Sequence, residues 1–541
     1  MIRGADLIAQ KLHGAGCLYA FGIPGGEVLA LMDALGKSGI KFILTKHENS
    51  GGFMGEGVWH AMRNNGANAP AILLATLGPG VANAINVIAN ALQDKVPIIF
   101  LSGCVEGATA QTYTHQIFDH RQLLSPLVKA SYRAEQGSLN TLMDKAIHLA
   151  TSGEPGPVHI DVPISIAEGQ TTEIVVPSTP VPSTFGLPFA ADLDKARHAL
   201  KASRRPLMIA GVDAVNSGAG DCISQVCKTY QIPLITTYKG KGLMDENHPL
   251  SMGGAGLSPK ADEALLPLIE EADLVLLVGY DPIEMRINWR DPWPASKVVV
   301  EISPFDRLHG MHSVSHSLKG DIATSLVFLT QNTFYCAQWP DESLGNAKTK
   351  LSTAFKAEEK GWGPATIFHE LRRVMPKETV ITADSGAHRI LVSQIWACER
   401  PRTALQSSAL CTMACALPIG AGYKLAAPEV PVLVFVGDAG LEMGLGELAT
   451  LRDQKLPVII CVLVDTSLAL IEKKQRACHL DNLGVDFEET DFAALADVYG
   501  GYGARIQDAS TLRTEAQKAL TRNSFTILAC KIDRQSYDNR L

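Results

Sequence analysis

The sequence predicts an α/β protein built from three doubly wound parallel-sheet domains. Its length is the first reason: 541 residues exceed a single hydrophobic core, at about 150 residues per domain. The second is pattern. Short β-branched apolar runs alternate with helical stretches and end in turns drawn from 47 glycines, as βαβ units do. The third is punctuation. Residues 176–188 are rich in Pro, Ser and Thr and read as a linker, and 331–360 is charged and turn-rich.

These breaks set domains at 1–165, 186–335 and 362–541. The first carries strand candidates at Ala71–Ala75 and Val96–Leu101. The second carries them at Pro206–Ala210, Pro233–Thr236, Leu274–Val278 and Lys297–Ile302. The third has the clearest β-α-β signal: Pro431–Val436, a helix through Leu441–Leu451, then Leu456–Val464.

Composition narrows the class. With 46% hydrophobic and 19% charged residues the chain is globular rather than disordered. A net charge of −8 and the lack of a Lys/Arg block argue against a nucleic-acid surface. The longest apolar runs fall far short of the roughly 20 residues that cross a bilayer. The start, Met1-Ile2-Arg3-Gly4, has no apolar export core, so a cytoplasmic protein without membrane partners is expected. Eleven cysteines without a CxxC pair read as reduced thiols.

The chemistry-bearing residues lie at strand ends. Val432–Val436 runs into Gly437-Asp438, and Leu456–Val464 runs into Asp465. In a parallel sheet, ligands gather beyond the carboxyl ends of strands. Two carboxylates there suit a hard cation such as Mg²⁺, and Gly437, Gly440 and Gly444 allow phosphate oxygens to approach main-chain N–H groups. Either aspartate alone reads as a helix cap or turn former; the pair reads as a site. In the first domain, Ile43–His47 leads into Glu48 and a small-residue helix. Glu48 is either a helix-capping acid or a partly buried functional one. Thr76–Asn83 is a strand–turn–helix junction with Gly78 and Gly80 flanking a proline.

Taken together, HEN (47–49) with GGFMGEG (51–57), ATLGPGVANAINVIANAL (75–92), GDAGLEMGLGEL (437–448) and LVDTSLALI (463–471) resemble the thiamine-diphosphate-dependent decarboxylases and carboligases. IRGADLIAQKL, FGIPGGE, THQIFDH, VGYDPIE and GVDFEETDFAALADVYGGYGARI add a likeness to the acetolactate synthase branch, catabolic type. The resemblance covers essentially the whole chain. It implies a pyrimidine-binding domain, a central domain and a diphosphate- and Mg²⁺-binding domain, in that order.

By that resemblance Glu48 matches the glutamate that hydrogen-bonds N1′ of the aminopyrimidine, and Gln116 an active-site glutamine. Asp438 and Asp465 match the metal ligands, with the Ser467 carbonyl as third. Met413 matches the apolar residue that bends the cofactor, and the Cys411 carbonyl accepts from its 4′-amino group. Gly26, Gly78, Ala387, His388, Gly437, Ala439 and Gly440 complete the cofactor contacts. The implied reaction decarboxylates a pyruvate-like 2-oxo acid and transfers the enamine to a second carbonyl. Simple decarboxylation, and cleavage of a 2-hydroxyacyl or cyclic dione substrate, stay open, because Lys46, Leu410-Cys411 and Leu468-Ala469 depart from the branch pattern. Thiamine diphosphate and Mg²⁺ are the implied cofactors. FAD is compatible with the superfamily but not favoured, since Gly211–Gly220 lacks a GxGxxG fingerprint. The site is expected between subunits of a homodimer or homotetramer.

Overall fold

The computed structural model describes residues 1–176, 185–307, 309–331, 335–359 and 361–541. Most of the predicted linker, 177–184, therefore lies outside the described residues, as do 332–334 and 360 of the charged stretch. Twenty strands occur in the described chain. The N-terminal part holds β1 (Ile2–Arg3), β2 (Tyr19–Ile23), β3 (Lys41–Leu44), β4 (Ala71–Ala75), β5 (Ile98–Cys104), β6 (Ala130–Arg133), β7 (Val158–Pro163) and β8 (Gln170–Thr171). The central part holds β9 (Pro206–Ala210), β10 (Leu234–Thr237), β11 (Ser251–Ala255), β12 (Leu274–Val278), β13 (Val298–Ser303) and β14 (His316–Lys319). The C-terminal part holds β15 (Val380–Ala383), β16 (Ala404–Gln406), β17 (Val432–Gly437), β18 (Ile459–Val464), β19 (Tyr502–Ile506) and β20 (Thr526–Lys531).

Three six-stranded sheets result, ordered β3-β2-β4-β5-β7-β6, β11-β10-β9-β12-β13-β14 and β16-β15-β17-β18-β20-β19. Every pairing within them is parallel. This is the α/β class with three doubly wound sheets that the alternation predicts. The first and third sheets share one winding. The central sheet has the other common winding, reversing between β9 and β12. The short antiparallel ribbon β1–β8 ties the chain start to residues 170–171, so ordered structure of the first unit runs past 165.

Buried strands explain the clean parts of the sequence pattern. β4, β9 and β12 are buried at every position, and such strands read as continuous apolar runs. Two corrections follow from local chemistry. The helix expected through 441–451 is two short helices, Asp438–Met443 and Glu447–Asp453; Gly444 and Gly446 interrupt it, glycine being the weakest ordinary helix former. The stretch 331–360 contains a helix, Asp341–Ala354. It follows Pro340, and Ala347 is buried with Leu344 and Leu351 packed beside it, a helical spacing hidden among charges.

One helix contact joins the first and third domains. Glu48–Asn64 crosses Ala416–Ala426 so closely that a Cβ on Gly57 would lie 2.0 Å from the Ile419 carbonyl oxygen, and one on Gly422 1.9 Å from that of Met54. Only glycine allows this crossing. Around it runs a core shared by both domains, from Phe21, Phe53 and Phe100 to Val434, Ile460 and Phe525. No helix among the described residues is long and apolar enough to cross a membrane. All eleven cysteines are free, seven of them buried.

Candidate active site

The carboxyl ends of β17 and β18 bring Asp438 and Asp465 together. Asp438 Oδ2 accepts the backbone N–H groups of Asp465 (2.9 Å) and Thr466 (2.7 Å), and Oδ1 accepts that of Ala439 (2.9 Å). Asp465 Oδ1 accepts from Ser467 N at 3.1 Å, and the Ser467 hydroxyl donates to Asp486 Oδ1 at 3.0 Å. Asp438 thus clamps the turn that carries Asp465; it does more than cap its own helix. Burial, and then the negative charge of Asp438, push the Asp465 carboxyl up to about 8. A buried carboxylate that raises the cost of ionising a half-buried neighbour is the arrangement a divalent cation relieves.

These groups face a cavity of about 140 Å³ that is also walled by Ala387, His388, Met413, Gly437, Ala439 and Gly440. His388 Nε2 lies 2.9 Å from Asp384 Oδ1. Asp384 Oδ2 accepts the Ala414 amide at 2.8 Å, which sets the chain next to Met413. A Cβ on Gly440 would sit 2.2 Å from that same oxygen, so the glycine is needed for the cavity floor. Cys411 lies outside these walls: its backbone is left-handed (φ 55°), and its thiol lies between Arg389 and the Ser408 carbonyl.

The remaining predicted residues gather in the N-terminal domain. Glu48 is the first residue of its helix, but His47 is the cap, its Nδ1 accepting from Asn49 N at 3.1 Å. The Glu48 carboxylate is buried and accepts instead from Asn83 Nδ2 at 3.0 Å. Gly78 has a positive φ of 69°, and a Cβ there would lie 2.4 Å from the Gln116 carbonyl oxygen. Gln116 is exposed and lines a separate cavity of about 390 Å³ with His120, Arg121, Arg133 and Asp161. Gly26 opens a 3-10 turn at the surface. Glu48 is not among the wall residues of the cavity that holds Asp438 and Asp465.

A hydrogen-bonded relay behind the larger cavity is not legible from sequence. Gly78 N–H donates to His120 Nε2 at 3.1 Å, so the proton of the neutral ring sits on Nδ1, 2.8 Å from Asp161 Oδ1. Ser102 donates to the same carboxylate at 2.7 Å and lies 2.7 Å from His159 Nε2; Ser131 holds the far side of His159 at 2.8 Å. Asp161 and Ser102 are side by side on β7 and β5, a register that no spacing in the chain announces.

The carboxyl ends of β9 and β12 in the central sheet carry a cluster of paired charges. Lys95 Nζ reaches Asp213 at 2.7 Å and Asp281 at 2.6 Å, and Arg307 contacts both acids.

Three models of one enzyme family match the chain in order: the N-terminal TPP binding domain of thiamine pyrophosphate enzymes at 2–123, their central domain at 193–329 and their C-terminal TPP binding domain at 384–530. The chain is a thiamine pyrophosphate enzyme. Its three sheets correspond to the family's three domains. This thiamine pyrophosphate enzyme is similar to the probable acetolactate synthase large subunit of Methanocaldococcus jannaschii, with 27% identity covering 98% of this chain and 92% of that protein. It is similar to the acetolactate synthase large subunit of Lactococcus lactis, with 27% identity over 99% of this chain and 93% of that protein. The acetolactate synthase of Arthrospira platensis is 28% identical over 98% of this chain and 94% of its own length.

Proposed function

We propose that this thiamine pyrophosphate enzyme is a carboligase of acetolactate synthase type that uses Mg²⁺. The observation that carries the reading is the pair of buried Asp438 and half-buried Asp465 at the mouth of adjacent strands, within a chain similar end to end to acetolactate synthases. Bound thiamine diphosphate supplies the nucleophile and electron sink for decarboxylating a 2-oxo acid and joining the remaining fragment to a second carbonyl.

The chain supplies binding, orientation and proton handling. Asp438, Asp465 and the Ser467 carbonyl would hold Mg²⁺, which would offset their charge and supply a positive centre for the diphosphate. Gly437, Ala439 and Gly440 let the diphosphate approach the backbone, with Ala387 and His388 walling the same cavity. Met413 would support the cofactor from the wall of that cavity, and the Cys411 carbonyl would be the acceptor for its amino group. Glu48 holds a proton at the aminopyrimidine N1′, beside Gly26 and Gly78. Gln116, with Arg121 and Arg133 on the same cavity wall, meets the carboxylate of the 2-oxo acid, since guanidinium groups match a planar carboxylate.

Glu48 and the aspartate pair belong to different domains and different walls, and we assign their meeting to two copies of the chain. Large apolar side chains are exposed near both: Tyr113 and Phe118 by the Gln116 cavity, and Ile471, Leu480 and Leu483 beyond Ser467. A second copy would cover them. The test is a product screen with pyruvate, alone and with aldehyde acceptors, in the presence of thiamine diphosphate and Mg²⁺. A branched 2-hydroxy-3-oxo acid is expected from pyruvate alone. Free aldehyde as the sole product would replace this reading with simple decarboxylation, and a fully active monomer in light scattering would exclude the two-copy site.

A further inference from the structure

The crossover from β13 to β14 in the central domain gathers Glu301, His309 and His312, with one potential ligand atom of each within 4.8 Å of the others. Glu301 lies on β13 and is 4% exposed. Its Oε2 accepts from Ser317 Oγ at 3.2 Å, while Oε1 is buried without a hydrogen-bond partner. Both ring nitrogens of His312 are also buried and unpartnered. His309 is fixed by the Met311 amide, which donates to its Nδ1 at 2.9 Å, and its ring centroid stands 4.5 Å from that of His312. Tyr280 and Trp293 pack against the His312 ring with centroids at 5.6 and 4.8 Å.

Buried polar atoms without partners are few in folded proteins, because each has lost its water without gaining a protein partner. Here unpartnered atoms from a carboxylate and an imidazole share one small volume with a second imidazole, and they do not hydrogen-bond one another. A cation shared by all three accounts for that. We propose that Glu301, His309 and His312 bind a divalent transition-metal ion of the Zn²⁺ class. Two imidazoles and one carboxylate are a donor set for such metals, whereas Mg²⁺ and Ca²⁺ prefer oxygen alone. Zinc bonds of about 2.0–2.2 Å place tetrahedral donors roughly 3.4 Å apart, so the groups close in by about an ångström, a movement for the loop that carries both histidines. The nearby Arg307 does not oppose the ion with a free charge, because Glu154, Asp213 and Asp281 already pair with it. The metal would tie the crossover loop to the sheet. It lies in a different domain from the Asp438–Asp465 pair and is independent of the carboligase reading.

The test uses enzyme reconstituted with thiamine diphosphate and excess Mg²⁺, so that the carboxylate pair is occupied, and then loaded with Zn²⁺ or Co²⁺ and dialysed. Elemental analysis should find one retained Zn²⁺ per chain in the wild type, with retention lost in Glu301→Gln and His312→Ala. The Co²⁺ form of the wild type should show visible bands of nitrogen and oxygen ligation without a thiolate-to-metal band; this reading needs no variant to fold. His309→Asn supplies a third, milder variant. No retained metal in the wild type overturns the proposal, as does unchanged retention in folded variants or a thiolate band.

Discussion

Asn83 reaches across the Gly78–Gly80 turn to Glu48, its Nδ2 donating to Oε2 at 3.0 Å, while His47 takes over the capping of the Glu48 helix. The Glu48 carboxylate is therefore not the cap of its own helix. Glu48→Gln keeps the shape and can still pair with Asn83 but removes the exchangeable carboxyl proton. Turnover should fall by about 10²–10⁴-fold, with melting temperature and cofactor affinity changed far less. Hydrogen exchange at C2 of the bound cofactor, followed by NMR after a D₂O quench, checks the cause; wild-type exchange in the variant would remove Glu48 from catalysis.

The aspartate pair makes a separate prediction. Asp438→Ala deletes a metal ligand and also the acceptor for Asp465 N and Thr466 N, so it should weaken Mg²⁺-dependent cofactor binding most. Asp465→Ala should weaken it severely and Asp465→Asn only mildly, since an amide oxygen still coordinates. Calorimetry of cofactor binding at fixed Mg²⁺ orders the three, and wild-type affinity in both alanine variants would contradict the metal assignment.

Gly422→Ala should destabilise the protein by about 1–3 kcal/mol or more through overpacking, because its methyl would meet the Met54 carbonyl oxygen at 1.9 Å. Gly36→Ala, in the helix Leu29–Lys37 where a Cβ meets nothing within 4 Å, should instead stabilise by roughly 0.5–1 kcal/mol. Thermal denaturation of the pair separates a close crossing from a general intolerance of alanine.

Glu56 gives the pH dependence. Burial is the main cause, and its carboxyl is pushed up to about 8; Oε2 accepts from Asn90 at 3.2 Å, and Oε1 has no hydrogen bond, with His60 Nε2 3.6 Å away. An acid with a raised folded-state pKa contributes full stability below its unfolded value, near 4.5, and loses it as pH rises toward 8. Glu56→Gln cannot ionise. Its melting temperature should therefore gain on the wild type between about pH 5 and 8 and run parallel to it above, a difference on the order of a few kcal/mol. Parallel curves across the whole range would show that Glu56 is ionised in the fold.

What could be read in advance was whatever the chain carries locally. The strands 71–75, 206–210 and 274–278 were legible because apolar runs end at Gly or Pro, and Asp438 and Asp465 because each follows such a run directly. Asn83, Asp161 and Asp384 were not, since their roles depend on partners brought close by sheet order: Asn83 lies 35 residues from Glu48, and Asp161 lies 41 from His120. The helix 341–354 was masked by charge, its small apolar face being too short to dominate the stretch.

The matching windings of the first and third sheets bear on ancestry. Counted along the chain, both place their second strand at one edge, then the first, third, fourth, sixth and fifth, although no short-period repeat survives in the letters. One winding used twice is what tandem duplication leaves after its halves have specialised. One half now carries its acid four residues past its second strand, and the other carries its carboxylates at the ends of its third and fourth. Because the two halves share one core and one glycine crossing, drift in either is constrained by packing against the other as well as by the chemistry they share.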